Sequence, residues 1–457
     1  MRRVLSAAEY ESFLRGRTSA ELGPWAAAVV DAVGKLCERH HGKRVVLLCG
    51  GSLWRMGLLT GDALSRAGFD VTSALLFRDQ LPVLSGALIC DMLFAPEAEP
   101  SLAPKRQEWI EAMAGSGCPC LSVAIPAGVN PDTGRADVPA VRAKITVALG
   151  AYLVGLFLHD GLDYCGKIVP VGAEEEALEG VYRFEEADAR RLLPPRKRTA
   201  HKGDSGKALL CVGSPRYIGA ALLSARACLA AGCGILYVAC PDVVRTALWR
   251  LPEAIGVPVG EDWDDRSCQT ATQALAGMRA AGLGCGMGSG DVSPLIEAAL
   301  GSGLPLVLDA DGLNCLSKHP DLCALLHEKT VLTPHPGEMS RLTGLPLSTV
   351  LDDPLSLAET YARRWGCTVL LKGAATVVSD GKQTCIVAEG NAGLGKGGSG
   401  DVLTGIITAL MSQGVEPFSA ACLGSYLLGA SADKALDLLR ERMLRATNVT
   451  EALEIWT

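Results

Sequence analysis

Between Gly393 and Gly400 the sequence sets five glycines and a lysine, Gly393-Leu394-Gly395-Lys396-Gly397-Gly398-Ser399-Gly400. Asp401 and an apolar run, Val402 to Ile407, follow directly. Bare backbone N–H groups at the start of a helix converge on an anion, and the positive end of the helix dipole adds to them. Lys396 adds charge. A carboxylate beside an anion hole is electrostatically awkward unless it has a task, and one is available to Asp401. It can accept the proton of a hydroxyl attacking phosphorus. The spacing is not that of a Walker P-loop, because no Gly-Lys-Ser/Thr opens the helix. A Gly-rich cap on a buried helix explains the glycines but not Lys396 and Asp401 together.

Five other stretches carry residues able to bind or react. Gly213-Ser214-Pro215-Arg216-Tyr217-Ile218-Gly219-Ala220 and Gly284 to Asp291, with alternate glycines, let a backbone approach a ligand closely or make ordinary turns. In Asp309-Ala310-Asp311-Gly312-Leu313-Asn314, two carboxylates and an amide would orient a metal or a hydroxyl, unless Asp311 merely caps a helix. His335 sits between Pro334 and Pro336 in a rigid turn, with Pro336 suited to a first helical position and Glu338 to the first turn. Lys372-Gly373-Ala374-Ala375-Thr376 reads equally as a nucleotide-phosphate contact or a surface hairpin.

These loops need a scaffold that brings them to one place. Short apolar strands alternate with helical segments along both halves of the chain, which indicates open parallel sheets with helices on both faces. In the first half strands fit Arg44–Cys49, 71–76, 86–90 and 120–125, with helices over 58–67 and 105–114. In the second, strands fit 207–212, 235–239, 283–287, 304–308, 330–333 and 368–371, with a helix over 220–231 and a mostly helical end from 399 to 445. Ligands in such sheets bind beyond the carboxyl ends of the strands, where the loops above lie. The run 190–198, with Pro194-Pro195 among five arginines and lysines, reads as an exposed connector. It divides the chain into 1–195 and 196–457.

The composition supports two such units. Of 457 residues, 49% are hydrophobic and 5% aromatic, enough apolar side chain for large cores built from small residues. A net charge of −7 recommends neither nucleic acid nor an anionic membrane as partner. The 17 cysteines are scattered without a CxxC pair and read as buried, reduced thiols of a cytoplasmic protein, with no zinc spacing. Met1-Arg2-Arg3 leads into polar sequence without an apolar signal core, and the longest apolar run, 145–158, falls short of the roughly 20 residues of a spanning helix.

Together the residues of the second half resemble the ADP-dependent NAD(P)H-hydrate dehydratases, members of the ribokinase-like superfamily. The resemblance runs in order through His201 to Asp204, Tyr217 to Ala220, Gly286 to Gly288, Asp309 to Asn314, Thr333 to Glu338, Lys372 to Thr376 and Asn391 to Gly405. It implies a lyase of metabolite repair: (S)-NAD(P)H hydrate is dehydrated to NAD(P)H while ADP becomes AMP and phosphate, with Mg²⁺ required. By the same resemblance Asp401 is the base, and the hydrate lies near Ala220, Gly288, His335 and Asp401. ADP lies against Lys372, Gly373, Ala374, Ala375 and Thr376 and against Leu394, Gly395, Lys396, Gly397, Gly398, Ser399 and Gly400. Lys396 stands where the family has a threonine. A homo-oligomer is implied as well.

The first half resembles the Rossmann-like NAD(P)H-hydrate epimerases often fused to that dehydratase, through Asp91 to Phe94, Val123 to Gly128 and Gly150 to Gly166. Its motifs are degraded. An Asn-Asn-Gly-Gly-Asp-Gly loop is replaced by Leu53-Trp54-Arg55-Met56-Gly57-Leu58, and Asp-Ile-Pro-Ser-Gly by Ala124-Ile125-Pro126-Ala127-Gly128. Asp91 is left as the vestige of a potassium site, and the fold is expected without R/S epimerase catalysis. A ribokinase-like kinase of a small alcohol, such as a vitamin precursor, and a nucleotide-sensing or scaffold module are the competing readings.

Overall fold

A computed structural model describes all residues except 41, 95–99, 137–138, 173–179, 197, 200, 202 and 454–457. Lys197 of the basic connector and Lys202 of the His201–Asp204 stretch therefore lie outside the described residues. The chain forms two compact units, Arg2–Val181 and Tyr182–Thr457, the latter with Met1.

The first unit is built on a six-stranded, all-parallel sheet. Its order is Asp70–Leu75, Arg44–Cys49, Leu88–Met92, Cys120–Val123, Ile145–Leu149 and Lys167–Val171. The three central strands, Arg44–Cys49, Leu88–Met92 and Cys120–Val123, are buried almost throughout. That burial on both faces is why they read as continuous apolar runs rather than alternating ones. Helices Ser19–His40, Trp54–Arg66 and Ala103–Gly115 cover the sheet. The apolar run 145–158 resolves into the strand Ile145–Leu149 and a two-residue strand, Tyr152–Leu153, paired with Arg2–Leu5.

In the second unit seven strands run parallel in the order Ala254–Pro258, Ile235–Cys240, Lys207–Cys211, Ala280–Leu283, Leu306–Leu308, Thr330–Leu332 and Thr368–Leu371. The antiparallel strands Thr376–Ser379 and Gln383–Val387 extend that edge. The helices Ile218–Ala230, Ser399–Ser412 and Pro417–Ala435 pack among a large apolar cluster on one face. The small residues of Ile218–Ala230 allow very close approach: a Cβ at Gly405 would fall 2.2 Å from the Ser224 carbonyl oxygen. Any side chain there would push the two helices apart, and with them the Gly-rich loop that leads into Ser399–Ser412.

Two expectations shift. The units divide between Val181 and Tyr182, ahead of the Pro194-Pro195 connector. Phe184 and Ala189, both fully buried, already belong to the core of the second unit, through the helix Glu186–Leu192. The strand expected at 283–287 is instead Ala280–Leu283. Its Ala-Ala-Gly start lacks the bulk of a typical strand, because Thr408 and Leu210 fill the space that a side chain at Gly282 would occupy. Among the described residues no helix is long and apolar enough to cross a membrane. All seventeen cysteines are free thiols.

Candidate active site

Five strand ends of the second unit deliver the side chains singled out in the sequence. Asp309 follows Leu306–Leu308, and Lys372 follows Thr368–Leu371. Lys372 Nζ lies 2.8 Å from Asp309 Oδ1, and Thr404 Oγ1 donates to Asp309 Oδ2 at 2.9 Å. Asp309 is 1% exposed and Lys372 has a second, longer partner in Glu338 at 3.8 Å. Burial works against the charge of Lys372, but Asp309 and Glu338 outweigh it and hold the ammonium above its ordinary range. Thr404, on the helix Ser399–Ser412, is thereby locked to the strand end beneath it.

Backbone strain marks the same strand end. Ala310 has φ +47°, a conformation that costs a non-glycine residue roughly 1–2 kcal/mol. It allows Asp309 and Asp311, neighbours but one, to face the cleft from one turn. Asp311 Oδ2 accepts the Gly288 N–H at 2.8 Å, so the Gly284–Asp291 loop is anchored to this turn. Beside Gly288 lies Ser214, 3% exposed, whose hydroxyl has no hydrogen-bond partner among the described residues. The Ser214 Oγ is 3.6 Å from where a Gly288 Cβ would be. A buried hydroxyl without a partner is costly, so it is placed for a ligand or water to complete.

His335 caps the helix Pro336–Thr343. Its Nδ1 accepts the Gly337 N–H at 3.0 Å, and Glu338 Oε2 returns by accepting the His335 N–H at 2.8 Å. With Nδ1 an acceptor, the ring proton of neutral His335 resides on Nε2, 3.5 Å from Glu338 Oε1. The ring is half exposed.

Asp401 stands in the first turn of Ser399–Ser412. Burial first, then the charge of Asp309, pushes its carboxyl up to about 6, against the pull of Cys285 and Lys372. Gly398, ahead of it, has φ +101°, and a Cβ there would meet Leu223 at 2.7 Å. A Cβ at Gly397, by contrast, would point into open space. The loop is therefore glycine at one position for conformation and at the next for access. Asn391 and Asp433 fix its start, through Asn391 Nδ2 to Asp433 Oδ1 at 2.8 Å. Ser399 Oγ fixes its end on the Leu394 carbonyl at 2.9 Å.

Lys396 does not face the anion hole. Its Nζ donates to the carbonyls of Arg442 and Leu444 at 2.6 and 2.8 Å, tying the loop to the last turn before Ala446–Leu453. These two carbonyls hold the ammonium away from the glycines. Gly373, Ala374 and Ala375 form the exposed turn between Thr368–Leu371 and Thr376–Ser379, and Thr376 opens the latter. Ala220 lies near the start of Ile218–Ala230, against the position a Gly286 Cβ would take. Sequence reasoning gave no individual role to Thr404, Cys285 or Ser214, though the stretches it singled out contain all three. They lie in apolar or loop context, and only the fold shows that Cys285 lies beside Asp401 and that Thr404 holds Asp309.

The first unit has its own cavity at strand ends, about 680 Å³, lined by Glu11, Arg15, Ser52, Arg55, Trp54 and Phe77 among others. Glu11 accepts from Arg15 at 2.6 Å and from Ser52 at 2.8 Å. Asp91, fully buried, accepts Ser122 Oγ and Ala127 N–H at 2.8 Å and Leu93 N–H at 3.1 Å. Its described partners are N–H and O–H donors, a structural anchor rather than the oxygen cage that potassium needs. Ala124, at φ +70°, keeps a strained turn with no carboxylate on it.

The parallel sheet, the Gly-rich loop at a helix start and the buried Asp401 beside it are the features of a ribokinase-like protein. Residues 208–455 match the family described as NAD(P)H-hydrate dehydratase, and residues 78–155 match the YjeF-related protein N-terminus. A bifunctional NAD(P)H-hydrate repair enzyme of Moorella thermoacetica is 35% identical over 73% of this chain and 66% of its own length. One from Gloeobacter violaceus is 36% identical over 88% and 84%. The ADP/ATP-dependent NAD(P)H-hydrate dehydratase of Bacillus subtilis, co-crystallised with ATP and Mg²⁺, superposes with TM-score 0.54 at 30% identity. That superposition covers 61% of this chain and 98% of the other. The chain belongs to the NAD(P)H-hydrate dehydratase family, enzymes of nicotinamide-cofactor repair.

Proposed function

We propose that the second unit dehydrates (S)-NAD(P)H hydrate to NAD(P)H with ADP as phosphoryl donor. The observation that carries this reading is Asp401, pushed up to about 6 beside the glycine loop and the partly buried Asp309–Lys372 pair. The hydrate hydroxyl gives its proton to Asp401 as its oxygen bonds to the terminal phosphorus of ADP, and AMP leaves. The ring C–O bond then breaks, phosphate departs, and loss of a proton from the adjacent carbon restores the double bond. The N–H groups of Gly397 to Gly400 stabilise charge on the transferred phosphoryl. Ala220, Gly288 and His335 bound the hydrate, with the partnerless Ser214 hydroxyl as a further contact. The turn Lys372 to Thr376 and the loop Leu394 to Gly400 bound the nucleotide, with Lys396 holding the loop's shape.

Mg²⁺ fits this site. Asp309, Glu338 and Asp401 share one ammonium, Lys372, and Asp311 adds its charge beside Asp401, so a polyphosphate would meet excess negative charge without a divalent cation. Mg²⁺ commonly binds phosphates with only one or two protein carboxylates. Asp311 has the lone pairs for that role. When bound, the ion would neutralise charge on the phosphates.

For the first unit we propose an epimerase fold without epimerase catalysis and without a potassium site. Ala124 and Ala127 offer no proton-transfer group or hydroxyl, and Asp91 is consumed by backbone and Ser122 donors. The family resemblance favours a homo-oligomer, which analytical ultracentrifugation reads directly, and the scattered free cysteines favour a cytoplasmic protein. The test of the reaction is product balance: NAD(P)H, AMP and phosphate should appear in equal amounts from hydrate, ADP and Mg²⁺. A stable phosphorylated product from a small alcohol, with hydrate untouched, would make the protein a kinase instead.

A further inference from the structure

On the second unit, outside the set of residues assigned to catalysis, Asp291, Cys315 and His319 bring a carboxylate, a thiol and an imidazole together, all ligand atoms within 4.8 Å of one another. Cys315 and His319 are four residues apart, on the helix Ala310–Lys318 and at its C-terminal cap, so they share one face. Asp291 comes from the end of the Gly284–Asp291 loop. His319 Nε2 lies 3.4 Å from Asp291 Oδ1, and Cys315 Sγ lies 3.6 Å from the same oxygen. In tetrahedral zinc, bond lengths of about 2.0–2.3 Å place neighbouring ligand atoms roughly 3.3–3.7 Å apart. The separations already match two edges of that tetrahedron.

We infer that Asp291, Cys315 and His319 form a binding site for a zinc-class divalent cation, with a water completing the fourth position. The mixed set decides the class: a thiol and an imidazole favour zinc or cobalt over magnesium or calcium, which take oxygen ligands. Cys315 releases its proton as the ion binds. Cys315 is 6% exposed while His319 and Asp291 reach the surface, so the ion enters from the solvent side and meets a thiolate held in the protein. Asp291 also accepts the Ser293 N–H at 3.0 Å, which fixes it as a ligand without using all its lone pairs. The consequence is local. Gly288 of the same loop is held by Asp311, at the start of the helix that carries Cys315 and His319. A bound ion would fasten the loop to that helix at a second point, three residues further along the loop and four along the helix.

Cobalt titration of the full chain, stripped of metal with a chelator, tests this. The expected result is saturation at one equivalent, with a thiolate-to-cobalt charge-transfer band and the intense visible bands of a four-coordinate ion. Zinc should displace the spectrum at stoichiometric concentration and magnesium should not. Cys315→Ser should abolish the charge-transfer band, and His319→Ala, a substitution at a half-exposed position that leaves the core intact, should weaken cobalt binding at least tenfold. A band that survives Cys315→Ser unchanged would place the ion on another of the many cysteines and overturn the site. So would absence of the band in the unsubstituted protein, or displacement by magnesium.

Discussion

Asp309 and Ala124 hold matching positions in their respective units. Each directly follows a short buried strand of a parallel sheet, and each sits at a strained turn: Ala310 has φ +47° and Ala124 itself φ +70°. At the first, the strain accompanies two carboxylates, a partly buried lysine and a threonine bonded to Asp309. At the second, the turn persists and the carboxylate is gone. A backbone conformation of this kind is maintained by the whole surrounding sheet, whereas the chemistry rests on one side chain. If the first unit lacks epimerase catalysis as proposed, the fold of a turn outlasts its reaction, and activity has to be argued from the side chains present.

The largest effect should come from removing the base. Asp401→Asn is expected to lower turnover of hydrate by roughly 10²–10⁴, the usual range for a general base, while calorimetric ADP affinity is unchanged. Equal turnover would show that the contrast between the units does not rest on this carboxylate. Next comes Lys372→Ala, which strands the charge of buried Asp309. Losing one partner of a buried pair costs about 3–5 kcal/mol, read as a fall in the melting transition that ADP raises. A shift only in the transition that ADP leaves alone would contradict the pairing. Lys396→Ala should be milder, at about 1 kcal/mol for lost hydrogen bonds, with the salt dependence of ADP binding unaltered. A flatter salt dependence would mean that Lys396 meets phosphate after all. Smallest is Ala124→Gly, expected to stabilise the first unit by about 1 kcal/mol through relief of positive φ, with R/S interconversion staying at the spontaneous rate. Loss of stability would show that the turn is not strained.

Much of this was legible in the sequence, for a physical reason. Strands buried on both faces, such as Arg44–Cys49 and Thr368–Leu371, are continuous apolar runs, and their ends could be read to the residue. The glycine loop declared itself because its composition has few other uses. Ala280–Leu283 was misread since its small residues are dictated by Thr408 and Leu210 across the packing, which no local pattern reveals. Lys396 was read as a phosphate ligand because its type and place are right; the carbonyls that capture it come from 46 and 48 residues along the chain. Thr404 and Cys285 sit in apolar context, and Ser214 in a loop shared with ordinary turns. Their roles exist only once strands far apart in the chain share a sheet.

The pH dependence of hydrate dehydration tests the central claim most directly. Burial and Asp309 keep the Asp401 carboxyl protonated in acid, and a protonated carboxyl cannot accept the hydroxyl proton. With (S)-hydrate, ADP and Mg²⁺ supplied to the full chain, kcat/KM followed by reduced-nicotinamide absorbance should rise with pH and reach half its plateau near about 6. The Asp401→Asn protein should show no such limb. A rate that is flat through this range, or a limb that persists without the carboxylate, would contradict the account.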